Sequence, residues 1–512
     1  MDVLQALQAT MIYVAGRGNP QAKLMLVGEA PGKHEEEKGY PFAGPTGRMV
    51  DDLIHKAGAR RDELYLTNVV KIRPPGNKLH RLGELGKSIS DFTPQLWEEV
   101  HTINPNCILA IGNLALKTLT GQTGIKKWRG SILNSLDGLP KVVPTIHPAS
   151  ILHGEEGDSG AMMSWKDLTY IGLDFKRAVE ESRTKELLLP DRLLGIARSE
   201  LDLWRFLNRH QHLDKISADI ESPSTIPLCI SLAFNSYEAL CVPLRNAMSA
   251  TNELGVAMHD LVGMWKLLRE FLGDKKPKII GQNFKFDQWK LRKICHLPCP
   301  DPWFDTMAAM SVVYPELPKK LQFITSILTR EPYYKDEYQD FNPHKHKIER
   351  VFTYCDKDAC TTYEAYEVLY KDMEELGYLD FFFSHIMPMH RLYYEMDQIG
   401  LLRDDARQKD LLKKYEGKDV EQQAELDQLV GYEINVNSNT KQVPLLLFHD
   451  LKIPLRKDVG EDTLQSLLNN VVKDGRKRRI IELVLSLRKI KKTISTYIKA
   501  KPRECETSLH FI

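Results

Sequence analysis

Three groups of acidic residues, far apart along the chain, most narrow the folds open to it. They are Asp219-Ile220-Glu221, Asn283-Phe284-Lys285-Phe286-Asp287 and Tyr354-Cys355-Asp356-Lys357-Asp358, with 68 and 71 residues separating Asp219, Asp287 and Asp358. Hydrolysis of a phosphodiester needs two divalent ions about 4 Å apart, one activating water and one steadying the leaving oxygen. Carboxylate oxygens hold such hard ions, and one fold must bring them together. A lone Asp-x-Glu occurs in many solvated loops and says little; the ordered trio says much more. Lys215 to Ile220 alternates apolar residues just before the first acids, which predicts a strand. Leu228 to Phe234 and Ala239 to Leu244 predict two more strands, a meander at a sheet edge. Lys278 to Gly281 is a short apolar run, after which Asn283 is placed to cap a helix. Phe304-Asp305-Thr306-Met307 and Tyr354 to Tyr370 are read as the helical half.

This order resembles the 3'-5' exonuclease of the family-A DNA polymerases, which has D-x-E on a first strand, N-x-x-(F/Y)-D before a helix and Y-x-x-x-D on a late helix. The resemblance implies an RNase H-like α/β domain binding two divalent cations, Mg²⁺ or Mn²⁺. It implies that Asp219, Glu221 and Asp358 hold the metal under the attacking water, with Asp219 shared by the second ion. Asp287 would support that second ion, Tyr354 would orient the nucleophile, and Asn283 would contact DNA.

The first 180 residues read as a separate unit. Leu24 to Val27 is an apolar strand running into Gly28-Glu29-Ala30-Pro31-Gly32, a small-residue turn whose N–H groups can approach a phosphate or a base. Tyr40-Pro41-Phe42-Ala43-Gly44, Thr67 to Asn77, Ile108 to Gly112 and Pro144-Thr145-Ile146-His147-Pro148 follow in order. Together they resemble the uracil-DNA glycosylase superfamily in its family-4-like branch, which implies a three-layer α/β/α domain. On that resemblance Phe42 stacks on a flipped pyrimidine, and Asn68 matches O4 and N3–H of uracil and rejects cytosine. His147 would donate to the O2 of the departing base. Glu29 would activate water or stabilise the sugar cation, with Asn77 and the Gly28 to Gly32 backbone binding phosphate or water. Family-4 enzymes carry four cysteines for an iron–sulfur cluster, whereas this region has only Cys107, so no cluster is expected. Two readings stay open for the domain: an active glycosylase, or a DNA-holding or docking module.

From Met387 the patterning becomes long and helical. Met389 to Gly400 ends on a glycine, as a helix does. Asp404 to Leu429 is rich in Lys, Glu, Gln and Leu; Ser438 or Asn439 is placed to cap the next helix, and Leu483 to Tyr497 closes the series. The order resembles the thumb entry of family-A polymerases of bacteriophage type. That implies phosphate contacts from Arg476, Lys477, Arg478, Arg479, Lys489, Lys491 and Lys492 on product duplex. Lys473 to Glu504 holds 12 basic against 3 acidic residues, although the whole chain carries a formal net charge of only +1. Whole-chain charge therefore says little about nucleic acid.

The expected organisation is multidomain α/β: residues 1–185 glycosylase-like, 186–380 exonuclease, 381–512 a truncated helical thumb region. No palm or fingers segments follow Tyr497, so polymerisation is not expected of these 512 residues. A split gene, an interrupted frame or a truncated product would each explain this. The partner expected is DNA, as single-stranded 3' ends and primer-template duplex. A separate palm and fingers half and replisome proteins are further candidates. The rival reading is a free-standing repair protein coupling uracil excision to 3'-end trimming, or a DNA-binding docking module. The eight cysteines, including Cys295, Cys299 and Cys505, lack framework spacing and suit reduced thiols. With no signal pattern and no apolar run of about 18 residues, no membrane is expected. A cytoplasmic setting follows, that of the bacterial host if the gene is a phage's.

Overall fold

The computed structural model describes residues 11–138, 140–152, 165–249, 252–342, 345–400, 404–456 and 458–499. Cys505 and the terminal Ser508 to Ile512 lie outside the described residues. The chain forms two compact units, residues 1–391 and 392–512, and the first unit carries two separate six-stranded sheets.

In the first sheet, β1 (Leu24–Gly28), β2 (Tyr65–Asn68), β3 (Cys107–Ile111) and β4 (Lys141–Thr145) are parallel, in the order β2-β1-β3-β4. β1, β3 and β4 are buried at every position, as befits strands covered on both faces. Alternate residues point to opposite sides. Leu24, Leu26, Leu109 and Val143 face α1 (Pro45–Lys56) and α3 (Trp165–Glu181) through Val50, Leu53, Ile171 and Phe175. Met25, Val27, Ile108 and Val142 face α2 (Asn113–Thr120) and the helix Thr93–Ile103 through Leu116, Leu119, Leu96 and Val100. The result is the expected three-layer α/β/α arrangement. All four parallel strands end at one edge, and Gly28, Asn68, Ile111 and Thr145 therefore open onto one row of loops, the usual ligand side of such a sheet.

The second sheet contains β5 (Leu193–Ile196), β6 (Lys215–Glu221), β7 (Cys229–Ala233), β8 (Glu238–Pro243), β9 (Lys278–Gly281) and β10 (Pro302–Asp305), in the order β10-β9-β6-β7-β8-β5. β6, β7 and β8 form the predicted antiparallel meander, with Asp219 opposite Ser231 and Glu221 opposite Cys229. Flanking helices include α4 (Met258–Glu270), α5 (Lys285–Trp289), α6 (Thr306–Val313) and α7 (Leu321–Leu328). The longest, α8 (Glu349–Glu375), buries Val351, Phe352, Cys355, Ala359 and Leu369. Phe304 and Asp305, read as part of a helix, are instead the end of the edge strand β10. Asp305 then caps α6, its Oδ1 accepting from Met307 and Ala308.

The second unit is helical. α9 (Asp405–Val430), α10 (Glu461–Asn470) and α11 (Gly475–Lys492) share a core of Leu426, Val443, Leu446, Leu464, Leu467, Ile480 and Val484. Asp404 caps α9, accepting from Arg407 at 2.8 Å, and Gly431 ends it in the left-handed conformation that favours glycine. Ser438 accepts from Gln442 at 3.0 Å, but the short helix there starts after Lys441. α11 begins at Gly475, not near Leu483, because Asp474 caps it by accepting from Lys477 at 2.8 Å. Arg488 links three loop positions, donating to the carbonyls of Val436 and Val459 and to Asn439.

Candidate functional site

β6 delivers Asp219 and Glu221. Residues two apart on a strand share a face, so both acids point one way while Ile220 between them enters the core. On α8, Tyr354 and Asp358 are one turn apart and share a face. These elements bring a carboxylate oxygen from each of Asp219, Glu221 and Asp358 within 4.8 Å of one another. Asp287, on α5, reaches the same strand: its Oδ1 accepts the Ile220 N–H at 3.2 Å. Asn283 is no helix cap. Its φ of 53° is left-handed, a state asparagine tolerates, and α5 starts two residues later with Phe284 donating to Asp305 at 2.8 Å.

Burial and mutual repulsion dominate the electrostatics of these acids. Burial, then the neighbouring Cys355, Asp358, Asp287 and Glu221, push Asp219 well above the usual carboxylate range. Burial, then Cys355 and Asp358, raise Glu221, against the opposing pull of Lys335. Burial raises Asp287 to about 8 despite its bond from Ile220. Such a group of acids ionises together only with compensating positive charge. An all-oxygen set of this kind suits a hard divalent ion.

Sequence reasoning missed part of the site. Lys335 places its ammonium 2.5 and 2.6 Å from the two Asp358 oxygens and 2.9 Å from the Tyr354 hydroxyl. Tyr334 donates to Asp358 at 2.5 Å, and the Tyr338 ring stacks on Tyr354 at 5.2 Å. The only signal was a lysine set among tyrosines at 333–338, in a stretch without periodicity. Behind the acids lie three buried thiols, Cys229, Cys241 and Cys355, the last 3.5 Å from an Asp219 oxygen. The seven described cysteines are all free thiols.

In the first domain, Gly28, Phe42 and Asn68 meet at the strand ends. A Cβ at Gly28 would collide with the Asn68 side chain and lie 2.9 Å from the Phe42 ring, so only glycine permits this approach. The acid in this corner is Glu35, which the sequence reading did not single out. It accepts from Gly32 at 2.6 Å and Phe42 at 2.5 Å, with the Asn68 amide at 3.5 Å. Burial raises its pKa, partly offset by those bonds. Glu29 turns toward the next strand, its Oε1 accepting from Leu114 at the start of α2 at 2.9 Å and packing on Gly112. His147 follows β4, and its Nδ1 accepts from Ala149 at 3.1 Å, which leaves Nε2 to carry the proton of a neutral ring. Asn77 is exposed and accepts from Arg73 at 2.8 Å. The loop after β2 is held by apolar contact among Val70, Ile72, Leu82 and Phe92.

The basic run of α11 divides in two. Arg476 donates to the Leu429 carbonyl, Arg478 to those of Leu468 and Val472, and Arg479 to Glu425. Lys491 pairs with Asp419. Lys489 and Lys492 are exposed, Lys477 is half-buried, and none of these three has a described side-chain partner.

Two family models match the chain. The family described as "Uracil DNA glycosylase superfamily" matches residues 15–169, and the family "3'-5' exonuclease" matches residues 196–374. A type-4 uracil-DNA glycosylase of Thermotoga maritima is 35% identical over 147 residues, covering 28% of this chain and 74% of the relative. The chain therefore belongs to the uracil-DNA glycosylase superfamily through its first domain, and joins that domain to one of the 3'-5' exonuclease family. A DNA polymerase of Bacillus phage SP01 is 34% identical over 329 residues, covering 58% of this chain and 33% of the relative. DNA polymerase I of Borreliella burgdorferi is 26% identical over 289 residues, covering 56% and 30%. The chain thus spans about a third of the polymerases it matches. Among the described residues no helix is long and apolar enough to cross a membrane.

Proposed function

We propose that this chain carries the metal-dependent 3'-5' proofreading exonuclease of a family-A DNA polymerase, joined to a uracil-recognising domain. The observation that carries the reading is the convergence of Asp219, Glu221 and Asp358 oxygens within 4.8 Å, with Asp287 bonded to the strand between the first two. Mg²⁺ or Mn²⁺ held by Asp219, Glu221, Asp287 and Asp358 would supply a water nucleophile at neutral pH and neutralise charge on the leaving oxygen. The chain's own groups do the rest. Tyr354, its phenol pushed upward by burial and by Asp358, stays protonated and can direct a water by hydrogen bonding. Lys335 opposes the negative charge that builds on phosphate. Asn283, exposed in the turn just before α5, would contact the DNA strand.

In the first domain, Phe42 and Asn68 would receive a flipped uracil, and the Nε2–H of His147 would donate to the base oxygen as the glycosidic bond breaks. Glu35 and Glu29 are the acids available to hold water or the sugar cation, with Gly28, Gly32 and Asn77 on the phosphate side. In the helical unit Lys477, Lys489 and Lys492 are the better candidates for phosphate contact, since Arg476, Arg478 and Arg479 have internal partners. DNA is the substrate and partner of this reading, as single-stranded 3' ends and primer-template duplex. A palm and fingers half would supply synthesis.

The test compares oligonucleotides labelled at either end. With Mg²⁺ or Mn²⁺ the 5'-labelled strand should yield a ladder shortening from its 3' end, and EDTA or Asp219→Ala/Glu221→Ala should abolish it. Digestion from the 5' end, or in EDTA, would reject the assignment. The repair-protein alternative predicts that the nuclease acts mainly on strands already carrying abasic sites.

A further inference from the structure

The segment that brings Tyr334 and Lys335 to the acids is held from outside the exonuclease domain. It joins α7 to α8, and its residues face two ways. Tyr334 and Lys335 face Asp358 and Tyr354. Tyr333 and Asp336 face the glycosylase-like domain, where residues 127–131 meet them. Lys127 contacts both Asp336 oxygens at 3.0 and 3.1 Å. The Trp128 ring meets the Tyr333 ring edge-on at 5.3 Å. The Ser131 hydroxyl accepts the Tyr333 N–H at 3.1 Å, and the Tyr333 hydroxyl returns to Asp336 at 2.8 Å.

The root of the segment is fixed by the same domain. Arg177 donates to the carbonyls of Ser326, Ile327 and Thr329 at 2.8, 3.1 and 2.9 Å. Arg129, paired with the buried Asp174, donates to the Ser326 hydroxyl at 3.1 Å. Arg330 pairs with Glu181 at 2.6 and 3.0 Å. A Cβ at Gly130 would lie 2.7 Å from the Ser326 carbonyl, so the two backbones meet with no room for a side chain.

We propose that the glycosylase-like domain is a built-in positioning element of the exonuclease, with Lys127, Trp128 and Ser131 as positioning residues acting through Tyr333 and Asp336 on Lys335. The physical reason is that the segment has no periodic structure of its own to fix Lys335. Among its described residues the only helical turn is the four-residue Asp336–Gln339. A lysine on a flexible stem has many rotamers, and a one-ångström displacement of a charged group costs rate steeply. The inference rests on the exonuclease reading and concerns its regulation by the other half of the chain, whether or not that half excises uracil.

The experiment uses the full chain, a 5'-labelled single-stranded oligonucleotide and Mn²⁺. Lys127→Ala/Trp128→Ala should lower kcat at least tenfold with KM for DNA within twofold, and Lys127→Arg/Trp128→Phe should recover to within threefold of the parent. A kcat within twofold of the parent, or a conservative pair as impaired as the alanine pair, overturns the proposal. So does a rise in KM with kcat held, which would make the face a DNA track. Asp336→Asn, on the exonuclease side, removes the same ion pair if the alanine pair fails to fold, and an unchanged kcat there also overturns it. A parent with no metal-dependent nuclease removes the exonuclease reading itself; an active parent with unaffected variants removes only this inference.

Discussion

Replacing Asp287 with asparagine should make the metal-free protein more stable at neutral pH, and less so as the pH falls. Asparagine keeps the shape and the oxygen that accepts from Ile220 at 3.2 Å, and removes only the charge. Asp287 is buried, and its carboxyl is raised to about 8 from its ordinary value of 3.8. A carboxyl raised on folding stabilises relative to its ionised form below its unfolded pKa, and that advantage is lost as pH rises through the folded pKa. The window therefore runs from about pH 4 to about pH 8. At 1.36 kcal/mol per unit, the parent's ionisation penalty near pH 7 is on the order of 4 kcal/mol. For a domain of this size that corresponds to a difference of roughly 8 to 16 °C in melting temperature. The assay is thermal unfolding in EDTA at pH 5, 6, 7 and 8, variant against parent. The gap should widen with pH and close when Mg²⁺ stabilises only the parent. A gap constant with pH, or one that favours the parent in EDTA, would refute the electrostatic reasoning. In the same variant nuclease kcat should fall about 100-fold or more, near 2.7 kcal/mol of transition-state stabilisation.

Three further outcomes follow from named contacts. The nuclease-silenced chain, Asp219→Ala/Glu221→Ala, incubated with uracil-containing single-stranded DNA should form abasic sites, and adding Asn68→Ala should slow this about 100-fold, the usual loss of one oriented donor; no abasic sites at high enzyme would leave the domain as a holding module. Arg488→Ala strands the carbonyls of Val436 and Val459 and should cost about 2 to 4 kcal/mol, read as faster hydrogen exchange over residues 435–460; unchanged exchange would show the arginine is not the clasp. Lys489→Ala/Lys492→Ala should reduce the salt slope of duplex binding by about 1.8, two phosphates at about 0.9 each, with the fold intact; an unchanged slope would take these lysines out of the DNA path.

What was legible in the sequence was whatever local pattern dictates. The strand ending in Asp219-Ile220-Glu221 declared itself by alternation, and Tyr354 and Asp358 by their four-residue spacing on a long helix. Leu24 to Val27 read as a continuous apolar run because its strand is buried on both faces, whereas the strand Lys141–Thr145 was not read at all, its buried lysine being paired with Glu181. Phe304 and Asp305 misled because a four-residue edge strand directly abutting a helix leaves no period to separate them. Asn283 has the side chain of a cap and the backbone of a turn, and composition cannot distinguish these. The basic run at 476–479 looked like phosphate contacts, yet three of its four members are spent on Leu429, Leu468, Val472 and Glu425, contacts set by tertiary packing. Glu35 and Glu29 are six residues apart near one turn, and only the fold decides which faces Phe42 and Asn68. Lys335 was invisible because it lies in a stretch without periodicity, and its partners Tyr354 and Asp358 stand 19 and 23 positions downstream.

The central claim is that separated carboxylates build one two-cation cage, and electron paramagnetic resonance of bound Mn²⁺ tests it most directly. The full chain is titrated with Mn²⁺ alongside a single-stranded oligonucleotide whose terminal linkage is a phosphorothioate. A spin-coupled pair, as expected for ions about 4 Å apart, should appear in the parent and vanish in Asp219→Ala/Glu221→Ala. Isolated Mn²⁺ signals alone, or a coupled pair that survives the double substitution, would contradict the account.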